Sequence, residues 1–340
     1  MFFIFKSFFI LTIIFLFFNF ITTKFKILQS KFHNKHQKLI GEESIPLIGG
    51  AIFFIYILVN NSNFDNYLVI FSFFILIIGF FSDINFISSP NKRLLLQLII
   101  ISLFLAFSEY RITDLRIDYF GEFFSNSYFK YIFTAICILI LINGSNFIDG
   151  SNGLNLGYFF SVLLVLQYLI DSQFVNVEND VVYICLIGVS FLFILNLFNL
   201  LYLGDSGAYL VSFVVGAILI YIHQNNSFIS PYFIALLLWY PAFENFFSII
   251  RKIIQKKSPM SPDNYHLHQL LFAYFNKNKK FNKVFVNSFT ACVINSFNFI
   301  IFAFATMYYS NTKIQILIIL VSIFFYNFSY FILKKKNTIN

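Results

Sequence analysis

Charge is scarce in this chain: only 11% of its 340 residues are Asp, Glu, Lys or Arg, while 59% are apolar. A soluble domain carries about 25% charged residues, so a water-covered surface is excluded and most of the outside must face lipid. Polar linkers are missing as well. No Pro- or Ser-rich stretch interrupts the hydrophobic rhythm long enough to form a separate soluble unit, and residues 1–340 read as one domain. Cysteine is rare: Cys137, Cys185 and Cys292 are odd in number, widely spaced and embedded in apolar segments. That pattern suits neither a disulfide framework nor a metal site, and the three read as small apolar fillers. Residues 2–21 imitate a signal peptide, but no small-x-small cleavage pattern follows them, only Asn19-Phe20-Ile21-Thr22-Thr23-Lys24. An uncleaved anchor is expected there.

What is plentiful is Phe, with 53 residues, and Tyr, with 20; the simplest reading is side chains facing lipid. Apolar segments run near 2–22, 47–60, 67–82, 94–108, 128–143, 154–170, 181–199, 207–223, 230–250, 284–308 and 314–333. Each must be a helix in a bilayer, because unpaired backbone groups are too costly there. An all-α polytopic bundle of about eleven transmembrane helices is expected, some of them short enough to be tilted or kinked. The loops near 23–46, 83–93, 144–153, 200–206 and 251–283, with the C-terminal tail, carry eighteen Lys and Arg. The other side carries five: Lys6, Arg111, Arg116, Lys130 and Lys313. The positive-inside rule places the first set in the cytoplasm, with the N-terminus outside and the C-terminus inside. The net charge of +8 thus orients helices and does not signal nucleic acid.

Polar chemistry collects in those cytoplasmic loops. Asp83, Asp149 and Asp205 are each the only acid in their loop, and each sits where an apolar helix ends. The last large loop carries Asp263, His266 and His268. Singly, a lone Asp at a helix end reads as a cap, and Asn-Gly or Asp-Gly as a turn. Together, three isolated carboxylates and a His-x-His pair on one membrane face suit phosphate transfer with a divalent metal. Mg²⁺ takes one or two carboxylates, keeps waters and completes its shell with substrate phosphates. Two histidines are a poor zinc set. The glycines would let backbone approach a diphosphate, with helix N-termini favouring the anion, and Lys92 and Arg93 would add positive charge. Glu244, inside the ninth span, lies two helical turns before Arg251, on one stripe about 10 Å apart. An intramembrane carboxylate reads equally as functional or as a pin for its helix.

These residues resemble a known family: the polyprenyl-phosphate N-acetylhexosamine-1-phosphate transferases of glycosyltransferase family 4, in particular the branch priming O-antigen or enterobacterial-type glycans. The matching stretches are His36-Gln37-Lys38 with Ile45 through Gly50, Asp83 through Pro90, Arg93 and Gln97, Asn143 through Leu154, Gly204 through Tyr209, and Ser261-Pro262-Asp263 through His268. They follow the family's order over about residues 33–272. The resemblance implies transfer of a sugar-1-phosphate from a UDP-N-acetyl sugar to undecaprenyl phosphate, with release of UMP, at the cytoplasmic leaflet of a bacterial plasma membrane. It implies Mg²⁺, with Mn²⁺ as an alternative, on Asp205 with Asp149 beside it. Asp83 is then a base or binder for the lipid phosphate, and His266 and His268 contact the diphosphate. Asn143, Asn146, Asn152, Lys92, Arg93, Arg251 and Asp263 complete the substrate-binding set, and a homodimer is compatible with the family. Four positions depart from it: Ser82 stands where an Asp-Asp pair has its first member, Asn152 where a second aspartate is frequent, Gln269 where a further His is usual, and no Lys precedes Gly204.

Two other classes compete with this expectation. A flippase of lipid-linked sugars would show facing midplane charges and broken helices in repeated halves, and no internal repeat is apparent. A non-catalytic homologue binding polyprenyl phosphate would tolerate Ser82, but has no need to keep Asp83, Asp149 and Asp205.

Overall fold

The computed structural model describes residues 2–29, 45–175, 177, 180–259, 261, 263–278 and 281–338. His36-Gln37-Lys38, Pro262 and five of the eighteen counted basic residues (Lys31, Lys35, Lys38, Lys279 and Lys280) lie outside them. The described chain is helical throughout: α1 Phe2–Phe25, α2 Gly49–Val59, α3 Asn66–Asp83, α4 Pro90–Phe107, α5 Asp118–Ser125, α6 Ser127–Ile148, α7 Leu154–Asp171, α8 Val181–Leu197, α9 Gly204–Asn225, α10 Pro231–Leu237, α11 Trp239–Ile254, α12 Leu267–Phe275, α13 Lys283–Thr306 and α14 Thr312–Thr338. Polar residues start several of them. Asp65 accepts from the N–H groups of Tyr67 and Leu68 ahead of α3, and Asn126 does the same for Tyr128 and Phe129 ahead of α6, satisfying donors the helix cannot.

All eleven apolar stretches are helical. Among the described residues, eight helices are long and apolar enough to cross a membrane. The ninth stretch is the pair α10 and α11, bent by 71°. Pro241 has no N–H to offer the Leu237 carbonyl four residues back, and that carbonyl accepts instead from Tyr158 Oη at 2.8 Å. The other two, α2 and α8, have 11 and 17 residues. At 1.5 Å per residue α2 covers about 16 Å, half of a bilayer core of about 30 Å, and it is buried among its neighbours rather than spanning on its own.

The core forms around α9, whose span is 94% buried. Small residues let neighbouring helices reach its backbone. A Cβ on Gly79 of α3 would collide with the Ser206 backbone, and one on Gly50 of α2 would come within 2.6 Å of Gly207 N. α1 and α14 lie at the other extreme, with 11% and 22% of their spans buried and Phe-rich faces turned outward.

The loops sort into two ends. Arg116 donates to Ser227 O, Ile229 O and Ser310 O, gathering the connections after α4, α9 and α13 at one end. At the other, the C-termini of α3, α6 and α11 meet the N-termini of α4 and α9 (described below). Two helix boundaries differ from expectation. The loops placed at 144–153 and 200–206 shrink, because α6 runs on to Ile148 and α9 starts at Gly204. Ser145 Oγ donates to Ala208 O at 3.0 Å, so these polar residues face another helix instead of water and need not leave the helix. Arg251, assigned to the last loop, likewise belongs to α11.

Candidate active site

α9 opens at Gly204, whose φ is +74°, and no side chain of its own caps it. The cap comes from α3. Asp83 Oδ1 accepts from the Asp205 N–H at 2.8 Å and Oδ2 from the Ser206 N–H at 3.1 Å, so one carboxylate satisfies two orphan donors and meets the positive end of the helix. Glycine is required at 204 twice over. The left-handed backbone favours it, and a Cβ would sit 2.8 Å from Asp83 Oδ2. Helix N-termini here were expected to favour an anion, and at α9 that anion is the carboxylate of Asp83.

Asp205 follows in the first turn of α9. Its Oδ2 pairs with Arg93 Nη1 at 2.8 Å, the two side chains being 26% and 23% exposed. The Ser82 hydroxyl donates to the same oxygen and accepts from Arg93 Nη1 at 2.7 Å. Ser82 therefore occupies the departing position as a bridge between the acid and the arginine. Arg93 is delivered by the first turn of α4, where Pro90 starts the helix without wasting a donor.

Asp149 ends α6 as its C-cap residue. Burial, then the charges of Asp205 and Asp83, push its carboxyl well above the usual carboxylate range. Three aspartates that are distant in sequence thus share one electrostatic environment, opposed by Arg93. Among the described residues no three or more His, Cys, Asp or Glu side chains form a metal cage.

The last loop closes the site from the α11 side. Arg251 Nη2 grips both oxygens of Asp263, at 2.9 and 2.8 Å, and Nη1 donates to Tyr265 O at 2.6 Å. Burial would raise the Asp263 carboxyl, but Arg251 and then His266 pull it below its ordinary range. His268 lies directly on Gly150, where a Cβ would strike its Nε2, so the His-x-His pair is seated beside Asp149. Glu244 and Arg251, expected on one stripe, take separate partners: Glu244 bonds His266 Nδ1 at 2.8 Å and Tyr326 Oη at 2.6 Å.

The expected amides are held by other segments, two by helices and one by the loop after α8. Asn143 Nδ2 donates to Gln97 Oε1 at 2.9 Å, Asn146 Nδ2 reaches Tyr209 Oη at 3.5 Å, and Asn152 Nδ2 donates to Asn199 Oδ1 at 2.8 Å. Lys92 is exposed, with no hydrogen bond or ion pair among the described residues. Three contributors fall in the family-matching stretches but carry no expected role there. Gln97, fully buried, matches the family with Arg93, one turn after it, without a partner being foreseen. Tyr209 and Phe147, which stacks on His266 at 5.4 Å, are hidden among the abundant aromatics.

The bundle and its acidic end define a polytopic membrane protein with a polar site built at one end of a central buried helix. Residues 65–223 match glycosyl transferase family 4, a stretch that includes all three aspartates but not the Arg251–His268 side. It is 25% identical over 217 residues to a protein of Bacillus subtilis (strain 168) named "Probable undecaprenyl-phosphate N-acetylglucosaminyl 1-phosphate transferase", covering 60% of this chain and 57% of that one. It is 28% identical over 163 residues to the "Decaprenyl-phosphate N-acetylglucosaminephosphotransferase" of Mycolicibacterium smegmatis (strain ATCC 700084 / mc(2)155), covering 41% and 40%. The matches thus span little more than half the length of the first relative and less than half of the second.

Proposed function

We propose that the protein transfers a sugar-1-phosphate, an N-acetylhexosamine-1-phosphate, from a UDP-sugar to undecaprenyl phosphate at the cytoplasmic leaflet. An oxygen of the lipid phosphate attacks the sugar-bearing phosphorus of the donor. The bond from that phosphorus to the bridging oxygen breaks, UMP departs with the electron pair, and a lipid-linked diphosphate sugar remains. The observation that carries this reading is the convergence of Asp83, Asp149, Asp205 and Arg93 at one end of α3, α4, α6 and α9, beside two relatives named for N-acetylglucosamine-phosphate transfer with polyprenyl phosphates.

Each side chain has a task its geometry supports. Arg93 supplies fixed positive charge for the phosphoryl oxygens. Asp83 locks the first turn of α9 and thereby places Asp205. The donor set of Asp205, Asp149 and the Ser82 hydroxyl is all oxygen, which fits a hard divalent cation such as Mg²⁺ better than zinc. Asp205 and Asp149 would hold that ion, and it would neutralise charge on the diphosphate. Phosphate oxygens are already ionised near neutral pH, so positioning matters more than base catalysis.

The test is UMP release by purified protein in detergent with undecaprenyl phosphate, Mg²⁺ and a panel of UDP-N-acetyl sugars, with Asp205→Asn alongside. UMP that requires both the lipid and Asp205 is the expected outcome, and the preferred sugar identifies the donor. An Asp205→Asn protein with full metal-dependent activity would overturn the assignment.

A further inference from the structure

Glu244 sits in α11 with no solvent exposure. A carboxylate there costs several kcal/mol unless it is fully bonded, so its partners show what keeps it. Tyr326 of α14 donates to one oxygen, and the other faces His266 Nδ1 at 2.8 Å. An ionised carboxylate can only accept, so the bond is donated from His266 Nδ1 and fixes the way the ring faces. The His266 ring, 6% exposed, lies between Phe147 at 5.4 Å and His268 at 5.7 Å. Its Nε2 is 3.5 Å from Asp263 Oδ1, and Arg251 clamps that carboxylate. His268, next in the stack, rests on Gly150 beside Asp149. A continuous set of contacts therefore runs from the apolar interior of α11 to the acidic site, through two stacked imidazoles.

We propose that Glu244 is a positioning residue for the transfer reaction, fixing the orientation of His266 and through it the seating of His268 over the Asp149–Gly150 turn where the donor diphosphate binds. This rests on the transferase reading above. Carboxylates that orient a metal-ligating histidine through its second nitrogen contribute about 10–100-fold, and the expected effect here is set on that scale. The rival role is purely architectural: Glu244 would serve to tie α11 to α14 through Tyr326.

A double-mutant cycle separates the two roles. UMP release would be measured for wild type, Glu244→Gln, His266→Gln, the double variant and Tyr326→Phe, with kcat and KM for each substrate and melting temperatures in detergent. We expect Glu244→Gln to lower kcat/KM for the UDP-sugar by about 10–100-fold, leave KM for undecaprenyl phosphate unchanged, and cost less than about twofold more once His266 is Gln, as coupled residues do. Tyr326→Phe should retain most activity. Should Glu244→Gln not fold, Glu244→Asp, which keeps the charge but withdraws it by one methylene, takes its place in the cycle. An equal loss from Glu244→Gln with and without His266, or a loss from Tyr326→Phe matching that of Glu244→Gln, would overturn the inference while the transferase reading stands. A wild-type protein that releases no UMP would overturn both.

Discussion

Arg251 Nη2 bonds both oxygens of Asp263 in a charge-assisted pair whose side chains are only 6% and 8% exposed. Removing one partner of such a buried pair strands the other, at about 3 kcal/mol or more. Asp263→Asn should therefore melt below wild type at neutral pH. The pH dependence follows from the lowered carboxyl. In the folded protein Asp263 ionises at lower pH than in the unfolded chain, so its stabilisation is complete above the unfolded value of about 4 and drains as pH falls through the lower folded value. The gap in melting temperature between wild type and Asp263→Asn should accordingly close below about pH 4, as read by thermal scans across that range. At this scale the sequence was half informative. Asp263, His266 and Arg251 stood out as polar residues in an apolar chain, but not who pairs with whom. The seven-residue spacing pointed Glu244 toward Arg251, whereas α14, some eighty residues further on, supplies Tyr326 and the loop supplies His266. Pairing is decided by tertiary approach, to which spacing along one helix is blind.

Among the helices, close approach is what assembles the site. Gly79 lets α3 lie against α9 so tightly that Asp83 can cap it, and any side chain at 79 would meet the Ser206 backbone rather than a movable side chain. Gly79→Ala should destabilise by about 1–3 kcal/mol, the usual cost of overpacking, and lower UMP release as the Asp83 cap shifts. Gly121→Ala in α5 is the control. Nothing lies within 4 Å of its added methyl, and alanine favours a helix by up to about 1 kcal/mol, so its melting temperature should hold or rise. All eleven apolar stretches were legible as helices, because a helix that crosses lipid, or is buried among those that do as α2 is, has to be apolar. Their ends were not. Asn143, Ser145 and Asn146 look like a loop, yet they continue α6 because α4 and α9 provide their hydrogen bonds. Gly204, a turn former by composition, starts a helix because the cap it needs arrives from α3.

For the whole molecule, the basic residues sort the loops between the two ends, and contacts at each end agree with that sorting: Arg116 ties three loops together at one, and the aspartates meet at the other. That the aspartate end faces the cytoplasm is an expectation from the charge count alone, and it can be measured. In a background with Cys137, Cys185 and Cys292 replaced by Ala, single cysteines at Lys256 and Glu122, both exposed, report the two ends. A membrane-impermeant maleimide applied to intact cells should label Glu122→Cys, and Lys256→Cys only after permeabilisation. The reverse pattern would invert the topology and remove the cytoplasmic leaflet from the proposed reaction.

The bond from Asp83 to the first amides of α9 joins residues 122 and 123 positions apart, and that separation has a consequence for biogenesis. A chain emerging from the ribosome inserts α3 long before α9 exists, so Asp83 must wait at the membrane surface, hydrated and uncommitted, through the insertion of α4 to α8. Neither aspartate reaches its place until the two helices dock, and the loop-closure entropy of that contact is among the last terms to be met. The site cannot mature in halves: a nascent chain stalled before Gly204 holds two of the three aspartates but none of the framework that makes them act together.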